Sequence, residues 1–137
     1  MRSEKPPSFS ACGIHIVWNS RFLLVQRSPS KQHPLAWSAV GGRIEDETPE
    51  DAVRRETLEE TGITLETVRS LSTTRYEHDG RAFDYHQFLS VLQERPDVAL
   101  NDEHVGYGWF TIEEARGLEL MEDELELLEE TYLLVGE

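Results

Sequence analysis

The chain has 137 residues, enough for a single domain over 1–137 that buries about two thirds of its surface around one core. Its 13 basic and 27 acidic residues give a formal charge of −14, which repels long nucleic acid and anionic membrane at any distance the salt leaves unscreened. One cysteine, Cys12, excludes an internal disulfide and fits a reducing compartment, so the cytoplasm is expected, and no apolar run approaches the roughly 20 residues that cross a bilayer.

The opening "MRSEKPPSFS" lacks an apolar signal core. "SACGIHIVW" then alternates at Ile14, Ile16 and Trp18, pauses at Asn19 and Ser20, and resumes as "RFLLVQR", which predicts a hairpin of two strands. "SPSKQHP" reads as a loop, since Pro34 opposes a helix, and one short strand is expected around "AWSAV". Past Gly41 and Gly42, Thr48 offers a helix cap, Pro49 suits the first helical position, and Glu50 and Asp51 face the positive helix end. The helix should run Pro49–Thr61 and stop at Gly62, which supplies a left-handed cap.

"TVRSLSTTRYEH" and "RAFDYHQFLSVL" read as strands joined by Asp79-Gly80, a dipeptide suited to a type I′ turn. "QERPDVALNDEHVG" is a long polar connector; "YGWF" is a short strand that leads through Thr111 into the small helix "IEEARG". A last helix over 122–134 would dock through Leu125, Leu128 and Tyr132. Strands interspersed with two substantial helices favour an α/β sandwich.

Within "RRETLEETG", Glu56, Glu59 and Glu60 share an arc of about 100° on the helix, so their carboxylates can converge. The arrangement is locally unfavourable: like charges four apart cost about 0.2–0.5 kcal/mol, and the last helical turn is already negative. The same spacing recurs at Glu126, Glu129 and Glu130, where nothing in the surroundings points beyond a solvated acidic face. The first cluster differs in context, with Gly41-Gly42 before its helix, Glu47 at the approach, Arg55 embedded and Gly62 closing it. Carboxylates with a backbone carbonyl beside flexible glycines make a seat for a hard divalent cation such as Mg²⁺, and such cations would also help an acidic protein hold a polyanionic substrate. A zinc site is not expected, because Cys12 and His15 lack a second ligand pair.

These residues resemble the box of the Nudix hydrolase family, G-x5-E-x7-R-E-U-x-E-E-x-G-U with U bulky and apolar. Gly41, Glu47, Arg55, Glu56, Glu59, Glu60, Gly62 and Ile63 match it, and Trp37 and "NDEHVGYGWF" are similar to common flanking features. The sequence departs from the pattern at the second glycine of the pair, which usually opens the box. Here only four residues separate Gly42 from Glu47, a loop one residue shorter. Val40 replaces a common proline, and Thr57 stands at the apolar U position.

The resemblance implies a Nudix-like α/β/α sandwich with a mixed central sheet. It further implies Mg²⁺-dependent hydrolysis, with Mn²⁺ as substitute, of a nucleoside diphosphate linked to another moiety: a nucleoside triphosphate, a dinucleoside polyphosphate or a nucleotide sugar. By motif position, Glu56, Glu59, Glu60 and the Gly41 carbonyl would bind metal, and Glu47 with Arg55 would hold the platform together. Glu59 and the connector residue Glu103 are rival candidates for the general base. Arg27 and Arg43 could meet phosphates, and Trp37, Phe83 or Tyr85 could stack on a base, although each serves equally well as a structural residue. The partner would be a small nucleotide, and a homodimer is among the states the family implies. The competing readings are a Nudix-like nucleotide-binding module without turnover and an acidic interaction domain.

Overall fold

Apolar alternation in the first fifty residues produces strands whose two faces enter different cores. The computed structural model describes residues 1–135, so the last two positions of the domain expected over 1–137 lie outside the described residues. Strands β1 (Phe9–Trp18) and β2 (Arg21–Arg27) form the expected hairpin, with Asn19 at φ 51° and Ser20 at φ 60°. Successive positive φ angles at a two-residue turn match the right-handed twist of the flanking strands. The two strands stay paired only at Val17↔Phe22 and Trp18↔Arg21 before they part.

Parting lets β1 run through the middle of the sheet. On one side it pairs in parallel with β6 (Arg81–Leu92) along its whole length, from Phe9↔Phe83 to Trp18↔Leu92. Its other side receives β4 (Val40–Arg43) antiparallel, from Ala11↔Arg43 to Ile14↔Val40. The single strand expected around "AWSAV" is therefore two pieces, because β3 (Trp37–Ser38) pairs with β2 while β4 crosses to β1. Strand β5 (Arg69–His78) pairs with β6 through a hairpin in which Asp79 and Gly80 have φ 53° and 79°, the predicted turn. Strand β7 (His104–Phe110) pairs with β2 and is longer than the "YGWF" strand expected, since the polar half of the connector finds backbone partners along β2. The sheet has seven strands and is mixed, with β1 and β6 its parallel pair.

Helix α1 (Pro49–Thr61) has the expected limits: Thr48 accepts a bond from the Asp51 N–H, and Gly62 at φ 74° donates to the Leu58 carbonyl. It covers one face of the sheet, where Ala52 and Val53 meet Cys12, Ile14, Ile16, Leu23, Val25 and Phe88. Helices α2 (Ile112–Arg116) and α3 (Glu124–Val135) cover part of the other face, where Ile112, Ala115 and Leu128 pack on Val17, Phe22, Leu24 and Leu89. Each fully buried aliphatic side chain contributes about 1.5–3 kcal/mol of transfer free energy, so both layers matter to stability. The result is the α/β/α sandwich.

Helix α3 docks through Leu128 and Tyr132 as predicted, but its buried stripe is shifted away from Leu125. Glu124, Leu127, Leu128 and Thr131 are buried, whereas Leu125 is 36% exposed. The stripe turns because a buried polar pair leads it: the Glu124 Oε2 lies 2.9 Å from His15 Nε2, and the Thr131 hydroxyl lies 2.7 Å from His15 Nδ1. The apolar pattern alone carried no sign of a charged residue facing inward. Glu126 and Glu130 pair with Arg2, and Glu129 with Arg116, at exposed positions, as a solvated acidic face should.

Candidate active site

The expected carboxylates gather where α1 passes the edge strand β4. Positions four apart bring Glu56 and Glu60 onto the helix face turned toward β4. The Glu60 residue is 2% exposed and the Glu56 side chain 12%, while the Glu59 side chain is 52% exposed. Burial raises both inner carboxyls above their ordinary range: Glu60 is pushed up to about 9, first by desolvation and then by the charge of Glu56, and Glu56 is raised by desolvation. The two carboxyls meet and act as a pair that holds protons unless a cation replaces them.

Arg55 is the hub of the outer shell. Its Nε and Nη2 donate to the two Glu47 carboxylate oxygens at 3.0 and 2.6 Å, its Nη1 lies 3.2 Å from Glu59 and 3.4 Å from Glu56, and Nη2 reaches the Arg43 carbonyl at 3.3 Å. The forked contact holds the Glu47 carboxyl below its ordinary range. The loop that is one residue short still delivers Glu47, because it closes a tight turn: the Glu47 N–H donates to the Glu45 carbonyl at 2.9 Å, and the Glu45 N–H donates to the Glu47 carboxylate at 3.1 Å. Thr57, at the apolar position of the box, is fully buried and donates its hydroxyl to the Val53 carbonyl at 2.6 Å, which leaves its methyl free to pack.

Gly41 and Gly42 do not form a bend. Both lie within β4 and neither has a positive φ. Gly42 is needed for clearance, since a Cβ there would come within 2.3 Å of a Glu56 oxygen. Gly41 lies opposite Gly13, one step from the Cys12↔Gly42 pair, and presents its N–H to Glu60 Oε1 at 3.5 Å. Ladder bonds alternate, so the Gly41 carbonyl also faces away from β1 along the open edge of β4.

Glu103 approaches the two carboxyls from the other side of the fold, near enough for its charge to act on them. The connector 93–103 lies over the end of α1, where the Ala99 N–H donates to the Thr61 carbonyl at 2.8 Å, and its apolar residues Val98 and Leu100 pack on the α1 core. Asn101 accepts from the Glu103 N–H at 3.1 Å, and the Glu103 charge acts to raise both Glu56 and Glu60. Among the described residues, no lysine or arginine pairs with Glu60. Two buried carboxyls beside an open carbonyl edge, Glu60 without a basic partner and Glu56 with Arg55 at 3.4 Å, offer the oxygen donors that a hard divalent cation takes, so the residues present fit Mg²⁺ or Mn²⁺.

On the opposite side of β4 a cleft of about 640 Å³ opens over the uncovered half of the sheet. The register of β1 with its two neighbours places Phe9, Ala11, Arg43, Phe83 and Tyr85 on this one face. Arg27, Arg43, Phe83 and Tyr85, proposed from the sequence as ligand contacts, all line the cleft. Arg27 is partly committed, since its Nε donates to the Gln32 carbonyl at 2.7 Å and holds the 28–36 loop. Burial raises the Tyr85 hydroxyl well above its ordinary value, and it raises the Cys12 thiol to about 12, which leaves that thiol protonated and inert. Trp37 does not reach the cleft; its ring packs edge-on against Phe110 at 5.2 Å.

The far wall was not anticipated from the sequence. His78 Nε2 lies 2.8 Å from Asp123, Glu122 stands beside them, and the N-terminal amine pairs with both acids. Glu124 lines the floor and accepts the Ala39 N–H at 2.8 Å. Glu122 and Asp123 come from the turn before α3 and Glu124 opens that helix, and no motif marks them.

The NUDIX domain family matches residues 9–131, so this chain belongs to the Nudix hydrolase family. It is 32% identical over 92 residues to an oxidized purine nucleoside triphosphate hydrolase of Danio rerio, a match that spans 65% of this chain and 58% of that protein. The fold superposes on a MutT protein from Methanosarcina mazei Go1 with TM-score 0.83 and 25% identity, covering 98% of this chain and 100% of that one. An Ap4A hydrolase of C. elegans, solved as a binary complex, is similar at TM-score 0.79 and 27% identity over 93% of this chain and 97% of that one.

Proposed function

We propose that the chain, as one catalytic domain, hydrolyses a phosphoanhydride bond in a nucleoside diphosphate linked to another moiety, with a nucleoside triphosphate as the leading substrate. The observation that carries this reading is the Glu56–Glu60 pair, buried against Gly42 at the edge of a nucleotide-sized cleft. Glu56, Glu60 and the Gly41 carbonyl hold the cation, and Glu59 borders them from a more exposed position. When bound, Mg²⁺ or Mn²⁺ supplies the positive charge that phosphate oxygens require and the Lewis acidity for water attack.

The protein groups have separate tasks. Glu47 and Arg55 keep the 44–48 loop tied to α1, so the carboxylates stay where the phosphates arrive. Glu59 and Glu103 are the candidates to take a proton from the attacking water; Arg55 engages Glu59 at 3.2 Å, whereas Glu103 has no basic partner among the described residues, which favours Glu103. The aromatic floor of Phe83 and Tyr85 suits a nucleobase, and the kinship with a purine nucleoside triphosphate hydrolase supports testing purines first.

The test is a panel of nucleoside triphosphates, oxidised purine nucleotides, dinucleoside polyphosphates and nucleotide sugars incubated with Mg²⁺ or Mn²⁺, with products separated by chromatography. Metal-dependent release of a nucleoside monophosphate is expected. A folded protein that binds nucleotide but turns over none of the panel would be the binding module instead.

A further inference from the structure

Two guanidinium groups at the mouth of the cleft have no carboxylate partner. Among the described residues Arg2, Arg54, Arg55, Arg75 and Arg116 are ion-paired and Arg21, Arg27, Arg43, Arg69, Arg81 and Arg95 are not; of the unpaired ones that line the cleft, Arg27 is held by the Gln32 carbonyl, which leaves Arg43 and Arg81. Both instead lie on one ring: the Arg43 guanidinium carbon is 4.1 Å and that of Arg81 5.1 Å from the centre of Phe9.

The sheet register explains why they meet. Arg43 ends β4, and Arg81 begins β6; these are the two strands that flank the start of β1, where Phe9 sits. Phe9 is itself fixed by stacking on Phe83 at 5.1 Å with the rings 10° apart. Cation–π contact orients the two guanidiniums while leaving their N–H donors unspent, and those donors match the geometry of phosphate oxygens. Arg43 also stands between cleft and carboxylate platform, its carbonyl held by Arg55.

We propose that Arg43 and Arg81, seated on Phe9, form an anion subsite that grips the phosphate of a nucleoside monophosphate unit where the substrate passes from the cleft to the carboxylate platform. The proposal deepens the nucleotide-hydrolase reading and rests on it. It assigns the base to the cleft and the rest of the phosphate chain to the edge of β4, and it makes the nucleotide half, not the other moiety, the part that is recognised. The subsite needs no metal.

The test is equilibrium binding of AMP and GMP, each beside its nucleoside, to the whole protein in EDTA. Wild-type protein should bind a mononucleotide more tightly than its nucleoside, with the difference shrinking as salt rises. Arg81→Gln and Arg43→Gln should each weaken mononucleotide binding about tenfold and leave nucleoside binding unchanged, because each removes one charge-assisted contact to phosphate. Arg81→Lys should retain part of the effect, and Phe9→Leu should lose much of it by freeing both arginines. Equal weakening of nucleotide and nucleoside, unchanged binding in both glutamine variants, or no mononucleotide binding to wild type would each overturn the subsite. Absence of Mg²⁺-dependent turnover leaves this binding result untouched and counts against the hydrolase reading alone.

Discussion

Glu60, the proposed cation ligand, is held in the fold at a cost to stability when it is charged. Its carboxyl titrates in the unfolded chain near 4.5 and is pushed up to about 9 in the fold. Between those values the folded state binds more protons than the unfolded one, so this group's stabilising contribution is complete below 4.5 and is lost as pH rises toward 9. Glu60→Gln should therefore abolish turnover yet raise the melting temperature in EDTA, with the gap over wild type widening from pH 5 to pH 9. Thermal melts at several pH values check the sign; a variant that melts lower than wild type at pH 8 would refute the account. Arg55→Lys tests the outer shell, because an ammonium cannot reproduce the forked contact with Glu47 or also reach the Arg43 carbonyl. Turnover should fall at least about tenfold. Hydrogen exchange of the 44–48 amides should quicken, and unaltered exchange would separate Arg55 from that loop.

The elements differ in how far local chemistry dictates them. Helix α1 is written in its own residues: threonine cap, proline at the first turn and a glycine free to adopt positive φ. Thr48→Ala should cost about 1 kcal/mol, and Gly62→Ala a similar amount, both read from urea unfolding midpoints. The two hairpin turns are equally local, since Asn19-Ser20 and Asp79-Gly80 tolerate the left-handed region. Strand β4 was not legible, because its pairing with β1 joins residues about thirty apart, and nothing in "VGGR" names a partner. Glycines that look like a bend are instead there for clearance under Glu56. Gly42→Ala should accordingly displace the Glu56 carboxylate and remove turnover while changing the unfolding midpoint little. A fully active Gly42→Ala protein would show that this close approach is dispensable.

Across the whole molecule, net charge and the site are linked. A chain at −14 that concentrates carboxylates in a half-buried cluster gains stability from any cation that binds the assembled cluster and not the unfolded chain. Millimolar Mg²⁺ should raise the melting temperature more than NaCl of equal ionic strength, reflecting a stability gain of about 2.7 kcal/mol when the ion stands at a hundred times its Kd. The excess over NaCl should vanish in Glu60→Gln combined with Glu56→Gln. Equal stabilisation by both salts would mean that general screening, not a formed seat, accounts for the effect.

Composition, the box residues and the turn chemistry by themselves determined the family resemblance, the limits of α1, two hairpins and the acidic nature of the site, because each depends on residues close in sequence. Tertiary structure alone decided that Glu103 comes near enough for its charge to act on Glu56 and Glu60, that Arg43 and Arg81 converge on Phe9, that Glu124 turns inward to His15, and that Trp37 packs against Phe110. The reason is that side-chain proximity across strands is set by register and packing between distant segments, and burial then sets charge. A carboxylate reads the same in any sequence; only its neighbours in space make it a ligand, a counter-ion or a surface group.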